Sequence, residues 1–91
     1  MTLKPYKDKV INECKVLRTF SVDVDESFLE WHRDEESRTI TVLSGKKWKF
    51  QRDNELPCTV CEGDKIKVEK HEWHRIIKGE STLVLLIEKH A

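Results

Sequence analysis

Alternation of apolar and polar residues recurs along this chain and marks it as β-structure. Arg38–Leu43 places Arg38, Ile40 and Val42 on one face and Thr39, Thr41 and Leu43 on the other. Lys65–Glu69 alternates in the same way, and Lys47–Gln51 points Trp48 and Phe50 together. Phe28–His32 reads as a strand with Phe28, Glu30 and His32 on one face and Leu29 and Trp31 on the other. The run Thr82–Ile87 is apolar from Leu83 onward, which predicts a strand covered on both faces, by the core and by a second subunit.

The segments between these runs carry turn chemistry. Arg33–Ser37 is a charged turn, Ser44-Gly45-Lys46 reverses the chain, and Arg52–Pro57 is a loop around an Asp-Asn pair. Glu62-Gly63-Asp64 and Lys78-Gly79-Glu80 are further turns, and His71–His74 forms a corner before Arg75–Ile77. Residues 1–8 are polar, hold Pro5, and are expected to be loose or to lie along a sheet edge. Lys9–Phe20 supports a short helical stripe or two strands; the β-formers Val16, Thr19, Phe20 and Val22 favour a strand over Cys14–Val22. Cys58–Val60 is one more short strand. Six to eight short strands, spaced by turns and without an internal repeat, predict an all-β protein: a small antiparallel sandwich or barrel in one domain over residues 1–91.

Composition narrows the function. Lys and Arg number 17 and so do Asp and Glu, so a neutral chain offers no electrostatic footprint for nucleic acid. No window is long and apolar enough to span a membrane, and the N-terminal residues lack the apolar stretch of an export signal. Three cysteines without such a signal point to reduced thiols and a cytoplasmic setting.

The most suggestive chemistry is His32-x-Asp34 followed by His74. Two imidazoles and a carboxylate can hold a divalent ion such as Fe, Mn, Ni or Zn on one face and leave positions open for a small molecule. The alternative is that these are ordinary hydrogen-bonded or surface residues. A second set, Cys58-x2-Cys61 with His71-x2-His74, superficially matches a zinc site. A strand through Thr59 and Val60 would throw the two cysteines to opposite faces, so buried or half-buried thiols are expected instead. Arg38 on an apolar face either pairs with Glu30 or Asp34 or awaits an anionic group. Trp31, Trp48 and Trp73 are core candidates, with Trp73 beside His74 and Trp48 able to line a pocket.

The spacing of these residues resembles the cupin superfamily. Its first motif runs Gly, five residues, His-x-His, three or four residues, Glu, six residues, Gly. Its second runs Gly, five residues, Pro-x-Gly, two residues, His, three residues, Asn. His32 and Gly45 fall on the first pattern, Gly63 and His74 on the second, over about Ser27 to Ile87. Asp34 stands in place of the second histidine and Arg38 in place of the glutamate. Glu26, Glu69, His71 and Lys78 replace the remaining glycines, proline and asparagine. The resemblance implies a cupin-like jelly-roll barrel, commonly a homodimer, with its ligand in the barrel mouth where the motifs meet. Of the family's four metal ligands it carries over His32 and His74, with Asp34 as a substitute for a third, while Arg38 in the fourth position favours a metal-poor or metal-free member. Either way it implies a small polar ligand, anionic or sugar-like, held by Glu30, Arg38, Trp48 and Trp73. Three functions follow: a small-molecule binder without catalysis, a metal-dependent enzyme of the non-heme iron type such as an isomerase or dioxygenase, or a structural or regulatory dimer.

Overall fold

A computed structural model describes residues 4–90. Eight strands form: β1 (Lys7–Val10), β2 (Lys15–Phe20), β3 (Ser37–Ser44), β4 (Lys49–Arg52), β5 (Cys58–Thr59), β6 (Lys65–Val68), β7 (His74–Ile77) and β8 (Leu83–His90). A five-stranded sheet in the order β1-β2-β8-β3-β6 faces a three-stranded sheet in the order β5-β4-β7, and all pairs are antiparallel. The all-β jelly-roll expectation holds. The sheets are not closed into a barrel. Arg52 of β4 ties them together: its guanidinium donates to the Lys67 carbonyl of β6 at 2.7 Å and to both oxygens of Glu72 at 2.7 and 2.8 Å.

Alternation decides what lies between the sheets. Phe20, Ile40, Val42, Leu85 and Ile87 from the large sheet meet Trp48 and Phe50 from the small one, with Val24 and Val60 filling in from loops. Each such side chain contributes about 1.5–3 kcal/mol on burial. Trp48 is fully buried, and its indole N–H donates to the Ser81 carbonyl at 2.8 Å.

One sequence expectation for the strands changes. Phe28–His32 is not a strand. Glu26–Phe28 forms a 3-10 turn capped by Asp25, whose carboxylate accepts from the Ser27 N–H, and pairing begins only at His32. A short acidic and serine-bearing cap, Asp25-Glu26-Ser27, overrides the two-residue alternation there. The opening residues follow the sheet-edge alternative: Lys7–Val10 is an edge strand, while residues 1–3 lie outside the described residues. β8 runs centrally between β2 and β3, so its edges are satisfied within the chain; its outward Val84 and Leu86 are half-buried. Among the described residues no helix is long and apolar enough to cross a membrane.

Candidate metal centre

His32 and His74 exchange both backbone hydrogen bonds, at 3.0 and 2.9 Å, in an isolated antiparallel bridge at the border of the small sheet. Direct opposition sends both side chains to the same face. Their ring centroids lie 4.3 Å apart at 60°. His32 Nδ1 is 3.0 Å from the Glu30 carbonyl, and His74 Nδ1 is 2.8 Å from the Glu72 carbonyl. A carbonyl oxygen can only accept, so the network assigns the proton to Nδ1 in both rings and leaves each Nε2 lone pair facing inward.

The matching geometry has a cause in the sequence. Glu-Trp-His-Arg occurs twice, at 30–33 and at 72–75. The antiparallel bridge therefore sets Trp31 opposite Arg75 and Arg33 opposite Trp73. Each arginine lies over the tryptophan it faces, Arg75 at 4.8 Å and Arg33 at 5.3 Å from the ring centroid. The two copies thus form a local pseudo-twofold, and the expectation of no internal repeat is corrected at this scale. Four residues are too short to show as a structural repeat, but comparing the flanks of the two histidines would have found them.

Asp34 supplies the third donor. Its backbone carbonyl accepts from the His71 N–H at 2.8 Å, which ties the segment after His32 to the corner before His74. His71 itself is left-handed at φ 64, where the cupin pattern expects glycine. Asp34 Oδ2 lies 3.3 Å from His74 Nε2, and Oδ1 lies 4.0 Å from His32 Nε2 and 3.6 Å from Arg38 Nη2. Burial pushes the Asp34 carboxyl up, but the hydrogen bond with His74 and the charge of Arg38, joined by those of His74 and His32 when their rings are protonated, outweigh it and hold the group below its ordinary value. Arg38 turns mainly to Glu36, with Nε at 2.9 Å and Nη2 at 2.6 Å from one oxygen, so its charge is largely met away from the donors.

Among the described residues, His32, Asp34 and His74 form the group able to hold a metal, with donor atoms all within 4.8 Å of one another. Two donors sharing one ion at bonds of about 2.1 Å stand roughly 3.0–3.5 Å apart. The His74–Asp34 distance already meets that. With Nδ1 protonated, both Nε2 atoms and the carboxylate are acceptors turned toward one point. Such a cluster is unfavourable unless a proton or a cation sits among them, so the donor set fits a divalent ion. The cysteine–histidine alternative does not assemble: Cys58 and Cys61 are exposed, and His71 faces Glu35 at 3.5 Å.

A cavity of about 300 Å³ opens beside the three donors. Glu30, His32, Asp34, Arg38 and His74 line it, whereas Trp48 and Trp73 do not. Trp48 is core because its alternation with Phe50 points it between the sheets. Trp73 lies on the opposite face of the bridge from His74, 44% exposed under Arg33. Arg18 and Tyr6 also line the cavity and were not anticipated. Arg18 had the same signal as Arg38: it shares the inward face of its strand with Val16 and Phe20.

No family model and no curated protein matches the sequence. Solved structures do match the fold. A cupin-2 domain protein from Shewanella frigidimarina superposes with a TM-score of 0.69 at 15% identity, covering 98% of this chain and 85% of that one. A cupin domain from Bordetella pertussis gives 0.59 at 15% identity with both chains covered fully. Iron(II) HppE gives 0.70 at 14% identity, covering 93% of this chain. The chain spans only 48% of HppE and 37% of a DMSP lyase structure that it also matches.

Proposed function

From a chain with the cupin fold, we propose a protein that holds one divalent metal on His32, Asp34 and His74 and binds a small molecule at that ion. The observation that supports this is the pair of Nδ1–carbonyl contacts, which leave the Nε2 atoms of His74 and His32 at 3.3 and 4.0 Å from the Asp34 carboxylate. Carbonyl-oriented imidazoles are the usual means of fixing a metal-binding tautomer. The set of two histidines and one carboxylate suits Fe, Mn, Ni or Zn, and three protein donors leave positions free for a ligand. When bound, the ion supplies Lewis acidity, and iron adds redox chemistry.

The chain's own residues do the rest. Glu72 keeps the corner before His74 in place, its side chain held by Arg52 and by the Glu69 N–H. Glu36 draws Arg38 away from the ion while leaving it on the cavity wall. Of the two ligand chemistries expected from sequence, an anionic head suits a site built around a cation. A sugar-like molecule would find few polar partners on the remaining wall. Catalysis is the second reading, favoured by Glu30, a residue of the cavity lining whose side chain is of the kind that exchanges a proton with a bound molecule.

A homodimer is a third, separable reading. It rests on the outer edge of β1, unpaired among the described residues, and on exposed Val10 and Ile11 beside it. Size measurement in solution tests it, and a strict monomer removes it.

The test of the main reading is elemental analysis of untagged protein purified without chelator, with calorimetric titration of zinc into wild type and His32→Ala. One equivalent bound by wild type and a loss of at least tenfold in affinity in the variant are expected. No uptake by wild type, or equal uptake by both, overturns it.

A further inference from the structure

Away from the three donors one side of the cavity wall is hydrocarbon, built by Phe20, Phe28, Leu29, Ile76, Leu85 and Ile87, while Tyr6, Arg18, Glu30 and Arg38 stand on the rest. The cations on the wall are already matched from within the chain. Arg18 places Nε and Nη2 on the two oxygens of Asp8 at 2.8 and 2.9 Å, with its guanidinium 3.7 Å from the Tyr6 ring centroid. Arg38 is held by Glu36 and Asp34. No buried side-chain nitrogen or oxygen among the described residues lacks a partner. Phe28 lines the cavity while 48% exposed, an apolar surface that a ligand would cover.

Building on the metal reading, we propose that the ligand is an amphiphile with one anionic, metal-chelating head and a hydrocarbon body of a few carbons. The head meets the charge of the ion, since the cations Arg18 and Arg38 are matched within the chain and Glu30, the other charge on the wall, repels an anion. The body lies along Phe28, Ile76 and Leu85. Hydroxyls on the part of the body that lies against Phe28, Ile76 and Leu85 would be desolvated there with nothing to bond to. A second anionic group would find Arg18 and Arg38 already engaged. The cavity, at about 300 Å³, is at the lower end of small-molecule sites, which keeps the body short.

Head groups must be matched to test this, so alkyl hydroxamates are the probes. Protein carrying one equivalent of zinc is titrated calorimetrically with acetohydroxamate, butanohydroxamate and hexanohydroxamate. Gluconohydroxamate and succinic monohydroxamate serve as the hydroxylated and second-charge counterparts. Burial of each methylene corresponds to a gain of about fourfold, so hexanohydroxamate is expected to bind at least tenfold tighter than acetohydroxamate. It should also exceed gluconohydroxamate, and butanohydroxamate should exceed succinic monohydroxamate. Phe28→Ser, a change at a half-exposed position, should shrink the gain with chain length. Zinc uptake with a flat series, or a counterpart binding as tightly as its alkyl match, overturns the proposal and leaves the metal reading standing. Failure to take up zinc overturns both.

Discussion

His32 and His74, forty-two positions apart in sequence, share a two-hydrogen-bond bridge that sets their rings 4.3 Å apart. The pairing is made by two copies of one tetrapeptide running in opposite directions. On the cavity face that arrangement converges two imidazoles. On the outer side of the bridge it builds two arginine–tryptophan pairs, of which Trp31 also reaches the cavity lining.

Those outer pairs predict a metal-affinity effect from residues that would not touch the ion. A cation–π pair at an exposed site contributes about 0.5–1 kcal/mol. Arg33→Ala should therefore weaken zinc binding by roughly two- to fivefold through looser register, and Arg33→Lys should recover part of it. Calorimetry beside a melting curve checks this. Unchanged affinity with a lowered melting temperature would assign the pairs to stability alone.

Asp8 makes the fold acid-sensitive at its edge. The hydrogen bonds from Arg18, with the charges of Arg18, Lys4 and Lys89, hold the Asp8 carboxyl below its ordinary value against the opposing effect of burial. Its value in the folded chain is thus lower than in the unfolded one. The contribution is complete above the unfolded value, about pH 4, and disappears as acid carries the pH down through the folded value. Asp8→Asn should lower stability at pH 6 and flatten its decline below about pH 4, as followed by urea unfolding at several pH values.

Gly79 is required for close approach. A methyl group there would meet the Lys46 carbonyl and, at 2.5 Å, the Trp48 backbone nitrogen. Backbone atoms cannot swing aside as a side chain can. Gly79→Ala should cost about 1–3 kcal/mol in denaturant unfolding, with no direct effect on metal uptake.

Trp48 separates packing from ligand contact. It is fully buried, and its single polar atom is bonded to Ser81. Trp48→Ala should cost about 3–5 kcal/mol. Trp48→Phe should lose about 1–2 kcal/mol by leaving the Ser81 carbonyl short of a partner. Zinc affinity in Trp48→Phe should match wild type, which a role in the site would not allow.

Much of this was legible in the chain itself. Alternation at Arg38–Leu43 and Lys65–Glu69 marked strands whose inward residues, Ile40, Val42 and Val68, are buried. The spacing from His32 to Gly45 and from Gly63 to His74 pointed to the cupin fold. Alternation failed at Phe28–His32, where the Asp25 cap stabilises a 3-10 turn instead. It also left the partner of Arg38 open, because Glu36, two residues before it, is reached by the side chain bending back along its own segment. Trp48 and Trp73 look alike as aromatic neighbours of polar residues. Only the pairing of strands shows that one is enclosed and the other faces outward.

The central claim, that both histidines offer Nε2 to one ion, is tested most directly by the ring nitrogen chemical shifts of His32 and His74 during zinc titration. The account predicts that, at one equivalent, both rings carry the proton on Nδ1 and both Nε2 resonances move together to metal-bound positions. Shifts in only one ring, or coordination through Nδ1, would contradict it.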